Sequence, residues 1–187
     1  MAILKHHCRF LLAIALFALL PIHSFAQDAA RIQMQENKIK AGLVYNLIKY
    51  TSWPAGSDVV KKKHITVCLL GGDPFYGSLD PLDGRTAQQA SIRIEHISHY
   101  TEALKCNVVI VYKRYVDTLE ETDQFFSGEP ILTIGDVDGF AKYAGIAEIS
   151  IKSDRRVHLT IHQSRMQKAG LAIDDRMMKL AKVIGVK

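Results

Sequence analysis

Two carboxylates close together in the sequence are the strongest candidates for acid–base chemistry in this chain. Asp136 and Asp138 follow PILTIGD at residues 130–136, a run typical of a buried strand. The carboxyl ends of strands in α/β sheets often carry catalytic acids, so a hydrolase that uses Asp136 or Asp138 is one hypothesis. Gly139 follows directly, and an Asp-Gly pair is also typical of a turn. The pattern favours the turn over a catalytic pair.

A glycine-rich segment, LLGGDPFYGSL at residues 69–79, follows another predicted strand. Backbone amides at such a position can hold a phosphate. The spacing matches neither G-x-G-x-x-G nor G-x-x-x-x-G-K-[ST], so no side-chain signature supports a nucleotide. A plain turn is the favoured interpretation. The alternative is a small-ligand sensor that binds a nucleotide or an aromatic amino acid at Gly71, Gly72, Asp73 and Tyr76.

The histidines do not form a metal-binding pattern. His158 and His162 would share one strand face but would stand about 13 Å apart, too far to share one ion. His96 and His99 lie at a predicted strand-to-helix junction, where no cysteine and no carboxylate except Glu95 and Glu102 lies at ligand spacing. No serine lies in the G-x-S-x-G sequence of a nucleophile elbow. The sequence therefore predicts no enzyme, no metal site and no cofactor.

The first 26 residues have the layout of a secretory signal peptide. A basic start precedes an apolar run at residues 10–20, and Ser24 and Ala26 are small residues at the positions that a signal peptidase recognises. Cleavage after Ala26 would leave residues 27–187 as a single domain exported to the periplasm. A retained N-terminal anchor is the weaker alternative, because the apolar run is too short to span a bilayer comfortably.

The composition is that of one ordinary domain, with 48% apolar residues and a net charge of +5, which the loss of Lys5 and Arg9 lowers to +3. Nucleic-acid binding would need a basic stripe with interleaved aromatic residues. The only basic cluster, Lys61 to Lys63, lies in a predicted loop. Nucleic acid is therefore not an expected partner.

Export would leave two cysteines, Cys68 and Cys106, in an oxidising compartment. A bridge between them would close a loop of about 39 residues, which on chain-entropy grounds stabilises the fold by roughly 3 to 4 kcal/mol. Both cysteines fall at comparable positions on predicted strands, so a disulfide is predicted. Two free buried thiols are the alternative.

Alternating strand and helix patterns predict a parallel sheet. A long amphipathic helix opens the exported chain and should end near Ser52, because the residue before Pro54 is forced out of helical geometry. The predicted strands are residues 64–70, 91–97, 107–112 and 130–136, with helices at 100–105 and 115–126.

The C-terminal third has a different pattern. Residues 146–162 predict a hairpin around Ser153 and Asp154, which would add an antiparallel strand. Helices are predicted at 164–170, ended by Gly170, and at 174–185, with Asp174 as the N-cap. The predicted fold is an α/β three-layer sandwich. It has a mostly parallel sheet, one antiparallel strand near the C-terminus and helices on both faces.

The order of these segments resembles the YfiR-like family. Its most specific parts are the helix end AGLVYNLIKYTSWP, with Trp53 before Pro54, and the C-terminal AGLAIDDRMMKLA. Between them lie VCLLGGDPF, CNVVIVY, PILTIGD and RRVHLTIHQSRMQK, in the same order as in the family. The resemblance covers essentially all of residues 27–187 and rests on pattern and order, since neither motif is catalytic.

The resemblance implies a periplasmic repressor that acts by binding other proteins. Similar proteins hold the periplasmic domain of an inner-membrane diguanylate cyclase inactive, which lowers cyclic di-GMP and restrains biofilm formation. An outer-membrane peptidoglycan-binding lipoprotein sequesters the repressor. The resemblance also implies a homodimer, folding that responds to redox state, and a family disulfide at Cys68 and Cys106.

Two departures from the family pattern affect these expectations. A second bridge of some members would fall near Ala141 and Glu148 and is absent here, so redox control through that bridge is not available. Members commonly have a sequence close to VRFEIN where this chain has VHLTIH, so Thr160 replaces an acid. A partner contact that depends on that carboxylate would be altered.

Apolar side chains near these motifs are the candidate partner contacts. Trp53 is expected to pack against the helix end, with partner contact as the alternative. The candidate partner-binding residues are Trp53, Leu159, Ile161, Met166 and Leu171.

Overall fold

The computed structural model describes residues 22–112 and 119–186. The chain divides into two compact units, residues 1–36 and 37–187. The described part of the first unit, residues 22–36, is helical. The predicted signal peptide lies mostly outside the described residues, so cleavage after Ala26 stays a prediction. Within the described segments, no helix combines the length and the apolar character that a membrane span requires.

Helices and strands alternate along most of the second unit. The α-helices of the described residues are α1 (Ile22–Tyr50), α2 (Asp58–Lys62), α3 (Leu119–Phe126), α4 (Phe140–Tyr143), α5 (Gln163–Lys168) and α6 (Asp175–Met178). The strands are β1 (Thr51–Ser52), β2 (His64–Leu70), β3 (Thr86–Ala87), β4 (Ala90–Ile97), β5 (Val108–Val111), β6 (Leu132–Gly135), β7 (Ala147–Ile151), β8 (Val157–His162), β9 (Ala172–Ile173) and β10 (Lys182–Ile184). Short 3-10 helices occupy Asp80–Leu82 and Tyr100–Lys105.

Eight strands form one sheet in the order β10-β8-β7-β6-β5-β2-β4-β3. The pairs β4-β2, β2-β5, β5-β6 and β6-β7 are parallel, whereas β7 and β8 are antiparallel. Strand β5 is buried at every position, which is why its sequence VVIV shows no alternation. The predicted mostly parallel α/β sheet with an antiparallel strand near the C-terminus is confirmed.

Alternate residues of β2 enter two separate hydrophobic clusters, as the period of a strand requires. The first cluster takes Ile65, Val67 and Leu69 and includes the α1 residues Val44 and Leu47. The second cluster takes Cys68 and Leu70 and includes Phe126 of α3 and Phe140 of α4. Coverage of both faces by helices along the whole sheet stays a prediction.

The predicted strand at 64–70 and the predicted hairpin at 146–162 are confirmed. The predicted helix at 174–185 is wrong beyond its first turn. Asp174 does cap a helix, since its side chain accepts a hydrogen bond from the Arg176 amide, but α6 ends at Met178. Residues 182–184 instead form β10, which pairs in parallel with β8 at the edge of the sheet. An open strand edge supplied the hydrogen-bond partners that local helix propensity could not reveal.

The opening helix ends two residues earlier than predicted. Thr51 and Ser52 leave α1 and pair with Ile173 and Ala172 as the antiparallel β1-β9 ladder. Short ladders of this kind have no period that a sequence pattern could show.

Candidate functional site

Asp136, one of the two candidate catalytic acids, is held by a buried lysine of α1. Lys40 Nζ lies 2.8 and 2.9 Å from the two carboxylate oxygens of Asp136. The two side chains are only 7% and 17% exposed, respectively. Burial raises the pKa of Asp136, and the bond to Lys40 offsets part of that rise. The geometry is that of a buried structural ion pair.

Asp138, the second candidate acid, is engaged in the same way at the surface. Its carboxylate accepts a hydrogen bond from Lys152, which lowers the pKa of Asp138. Lys152 Nζ also lies 3.5 Å from the buried Glu148. Glu148 in turn accepts from the Ala141 amide at 3.2 Å. Both predicted acids therefore neutralise lysines that the sequence pattern did not connect with them.

The glycine-rich loop binds its own carboxylate. Asp73 accepts hydrogen bonds from the amides of Phe75 and Gly77, which are the groups that an anion would need. Gly72 packs against the ring of Tyr112, where an added Cβ would lie 3.1 Å from Cδ1. Tyr76 is 75% exposed. The loop has the geometry of a turn, and a ligand at Gly71, Gly72, Asp73 and Tyr76 stays a prediction.

The five predicted partner-contact residues all lie in the core. Their side chains belong to the first hydrophobic cluster and are at most 8% exposed: Trp53, Leu159, Ile161, Met166 and Leu171. Leu159 and Ile161 alternate with less buried positions on β8, and the other three side chains pack into the same cluster from neighbouring segments. All five therefore fill the core and do not form a surface. They are not accessible to a partner in this conformation.

Cys68 and Cys106 are bonded, as predicted. The bridge joins the middle of β2 to the residue that follows the 3-10 helix Tyr100–Lys105. Both cysteines lie in the second hydrophobic cluster. The disulfide therefore closes a loop of the chain that begins in β2, includes β3 and β4, and ends just before β5.

An open cleft of about 620 Å³ lies beside the β1-β9 ladder, and the sequence did not indicate it. Arg176 stacks over the ring of Tyr50 at 4.6 Å. Asp174 binds the Arg176 guanidinium through both carboxylate oxygens, which lowers the pKa of Asp174 to about 2. The Gln88 amide donates to main-chain carbonyls at the end of α1. These contacts anchor the ladder, and the charges of Asp174 and Arg176 neutralise each other.

A polar row crosses the outer strands of the sheet. Thr160 of β8 lies opposite Glu148 of β7 and Lys182 of β10. Residues opposite each other on adjacent strands project to the same face. Glu148 is buried, Thr160 is half-buried and Lys182 is exposed. We call Thr160 and Lys182 the outer row. It contains Thr160, the position at which the sequence resemblance leads us to expect an acid in other members.

Nothing in the described ranges gathers three or more histidine, cysteine, aspartate or glutamate side chains in a way that could hold a metal ion. His158 binds Asp154 at 3.0 Å, whereas His162 packs at the start of α5. The two histidines therefore serve separate local contacts.

Comparison with solved structures shows the fold. A conserved domain protein from Vibrio cholerae O1 biovar eltor superposes with a TM-score of 0.51 at 13% identity, over 79% of this chain. This chain spans 59% of that protein's length. An ABC domain from Streptococcus pneumoniae in complex with L-Trp has a TM-score of 0.46 at 11% identity, over 64% of this chain and 56% of its own.

No curated protein matches the chain. The YfiR/HmsC-like family model matches residues 37–182, which is most of the second unit. The chain therefore belongs to the YfiR/HmsC-like family, whose members are non-catalytic periplasmic regulators of diguanylate cyclase signalling.

Proposed function

We propose that this protein is a periplasmic repressor. It binds the periplasmic domain of an inner-membrane diguanylate cyclase, holds the cyclase inactive and so lowers cyclic di-GMP and biofilm formation. An outer-membrane peptidoglycan-binding lipoprotein sequesters it, and the repressor acts as a homodimer. The observation that carries the proposal is the family match over residues 37–182.

The mechanism is a shift in the population of cyclase conformations. A repressor that binds the inactive form more tightly biases the equilibrium by its difference in affinity, about tenfold for each 1.4 kcal/mol. This requires a binding surface and no reacting group. The ion pairs of Asp136 and Asp138 support it, because both candidate acids already hold lysines.

The outer row is the contact surface that we assign to a partner. Lys182 is exposed on the edge strand β10, and the half-buried Thr160 lies beside it on β8, so a partner at this edge of the sheet can contact both. With threonine in place of the family acid, this face carries one negative charge fewer beside Lys182. The cognate partner should therefore present neutral or acidic groups here, because charge complementarity governs partner choice.

Deletion of the gene tests the repressor function. Loss of the repressor should raise cellular cyclic di-GMP and surface attachment, and a plasmid copy should restore both to their original levels. Unchanged cyclic di-GMP after deletion would rule out repression in the organism concerned.

Substitution of Thr160 tests the contact surface. Thr160→Glu should weaken binding to the cognate cyclase domain or lipoprotein by about tenfold. Thr86→Glu is the matched control, because Thr86 is an exposed threonine on β3 at the opposite edge of the sheet. Equal affinities for the two variants would show that the outer row is not the interface.

A small-ligand sensor is the second candidate function, and the sheet topology favours it. Strands β4 and β5 lie on opposite sides of β2, so the chain passes from β4 on one side of β2 to β5 on the other. Ligands of open α/β sheets bind at such a reversal, beyond the carboxyl ends of the strands. The Gly71–Tyr76 loop follows β2 at this place.

Calorimetry with nucleotides and aromatic amino acids tests the sensor. It should show binding that Tyr76→Ala removes and Tyr143→Ala retains. Silence at millimolar ligand would end this candidate.

A further inference from the structure

His162 is the last residue of β8 and caps the helix that follows. Its Nδ1 atom accepts a hydrogen bond from the Arg165 amide at 3.3 Å, so the imidazole is the N-cap of α5. The Ser164 hydroxyl lies 3.3 Å from the same nitrogen. An imidazole nitrogen accepts a hydrogen bond only when it carries no proton, so this arrangement requires neutral His162 with its proton on Nε2.

The same imidazole packs against the end of the C-terminal strand. A Cβ added to Gly185 would lie 2.1 Å from His162 Cε1 and 2.5 Å from Nδ1. The Gly185 carbonyl accepts a hydrogen bond from the Ser164 amide at 3.2 Å. Ile184, directly before it, lies opposite His162 in the β10-β8 ladder. One side chain thus joins the start of α5 to the end of β10.

We propose that protonation of His162 releases β10 from β8, so that acidification uncovers the outer edge of the sheet. The proposal concerns a conformational switch within this fold and holds whether or not the protein is a repressor.

Protonation replaces the acceptor at Nδ1 with a donor. The Arg165 amide then faces a second N–H group and loses its partner. The Ser164 hydroxyl can turn to accept from the new N–H, but the amide cannot. The imidazolium also gains a positive charge beside the Arg165 guanidinium. Both changes act where Gly185 rests against the ring.

The charged groups around His162 do not cancel this effect. Arg165 and Lys168 of α5 are positive, and Asp123 of α3 is negative. Asp123 binds Arg165 Nε at 2.8 Å, so its charge is already shared. Lys182, the titratable residue of β10, lies opposite Thr160, two residues before His162 on β8. The surroundings of His162 therefore favour the neutral imidazole.

The direction of the pKa shift agrees with this geometry. Burial and then the Arg165 charge lower the pKa of His162 below its ordinary value of 6.5. A histidine with a depressed pKa in the folded state contributes stability that is fully present above its unfolded pKa. That contribution is lost as the pH falls through the folded value. The switch thus operates on the acidic side of about pH 6.5.

Release changes the surface of the sheet edge. In the closed state β10 satisfies the outer hydrogen-bonding groups of β8 over Thr160 to His162. Without β10 these groups form an unpaired strand edge, which is a template for strand addition.

Amide hydrogen exchange of the full chain tests the proposal. The Arg165 amide reports the imidazole cap, and the Ser164 amide reports the bond to Gly185. After correction for intrinsic exchange, both protection factors should fall about tenfold between about pH 7.5 and about pH 5, because a loss of 1.4 kcal/mol is tenfold. The Asn107 amide, which bonds to Thr66 in the sheet, is the internal reference and should not change. Loss of protection at Arg165 alone would overturn the release of β10.

His162→Asn should abolish the response, because asparagine keeps an acceptor at the N-cap and does not titrate. His158→Asn is the matched control on the same strand and should respond like the original chain. A response that persists in His162→Asn would overturn the proposal. An NMR titration of the His162 ring nitrogens gives an independent reading. It should show the Nε2–H tautomer at neutral pH and a midpoint below 6.5, and a midpoint at or above 6.5 would also overturn the proposal.

Discussion

The Lys40 to Asp136 pair shows what a buried charge does in this fold. Lys40 lies on the apolar stripe of α1 with Ala41, Val44 and Leu47, where an aliphatic side chain would be expected. Its ammonium reaches the carboxyl end of β6, 96 residues further along the chain. A pair of this kind fixes the position of the helix on the sheet more than it raises stability, because desolvation offsets the attraction.

Removing one partner should therefore cost more than removing both. Lys40→Met should lower the free energy of unfolding by about 3 kcal/mol, because it leaves the Asp136 carboxylate buried without a counter-charge. The double substitution Lys40→Met with Asp136→Leu should recover most of that loss. Urea unfolding at neutral pH measures both values. Lys38→Met is the control on the exposed face of α1 and should change stability by less than about 0.5 kcal/mol. Additive losses in the double variant would contradict this account.

The loss of stability in Lys40→Met should depend on pH in a defined direction. The pKa of Asp136 is raised in the folded state, so the folded chain binds this proton more readily than the unfolded chain. Stability from this group therefore rises as the pH falls from the raised folded value toward 3.8. Removing Lys40 removes the attraction that lowers the pKa of Asp136, so this pKa rises further and the pH range over which protonation stabilises the fold becomes wider. The deficit of Lys40→Met should shrink in mild acid, and a deficit that grows instead would reverse the assigned cause.

At the scale of elements, the C-terminal strand depends on one glycine. Gly185 has φ +64°, and an added Cβ would meet the His162 ring. Gly42 differs in both respects, because it lies within α1 and, apart from its own turn of the helix, nothing comes within 4 Å of its added Cβ. Two identical substitutions should therefore act in opposite directions.

Gly185→Ala should lower the free energy of unfolding by about 2 kcal/mol through strain and the displaced ring. Gly42→Ala should raise it by about 0.5 to 1 kcal/mol, because alanine restricts the unfolded chain and suits a helix interior. Urea midpoints of the two variants check the signs. A neutral Gly185→Ala would mean that β10 is not held against His162.

The disulfide between Cys68 and Cys106 also stabilises the arrangement of elements. Replacing both Cys68 and Cys106 with alanine should cost about 4 kcal/mol by the chain-entropy estimate for a loop of about this length. Comparing urea midpoints of the oxidised chain, the reduced chain and the double variant measures the cost. The intact mass should rise by about two hydrogens on reduction if only this bridge is present. Identical midpoints for the oxidised and reduced chains would contradict a stabilising bridge.

Elements with strong local patterns were predictable, and those decided by distant partners were not. The run HITVCLL predicted β2 to the residue, because β-branched apolar residues between turn signals suit a buried strand. Strand β10 has only three residues, KVI, and they follow directly on a helical pattern, so the sequence was interpreted as one continuous helix. The cysteine pair and the Asp174 cap were predictable from residue type and position. The Lys40 to Asp136 pair was not, because no local pattern joins residues so far apart in the chain.

For the whole molecule, the family match and the compact unit begin at the same residue. The family model covers residues 37–182, and the second unit starts at Asn37 inside α1. From Asn37 onward the helix has buried positions, whereas residues 27–35 are exposed. The burial of side chains along this helix therefore begins where the family match begins, first with Asn37 and then with Lys40 and Ala41.

This boundary predicts the outcome of two truncations. Residues 37–187 alone should unfold cooperatively, with a melting temperature within about 2 °C of that of residues 27–187, because no buried side chain is removed among residues 27–35. Residues 45–187 should be far less stable, because this cut removes Ala41, Val44 and the buried Lys40, and so leaves Asp136 without its counter-charge. Thermal unfolding followed by circular dichroism compares the three chains. If the chain of residues 37–187 fails to fold, the first unit contributes to stability and the boundary of the domain lies nearer to the N-terminus.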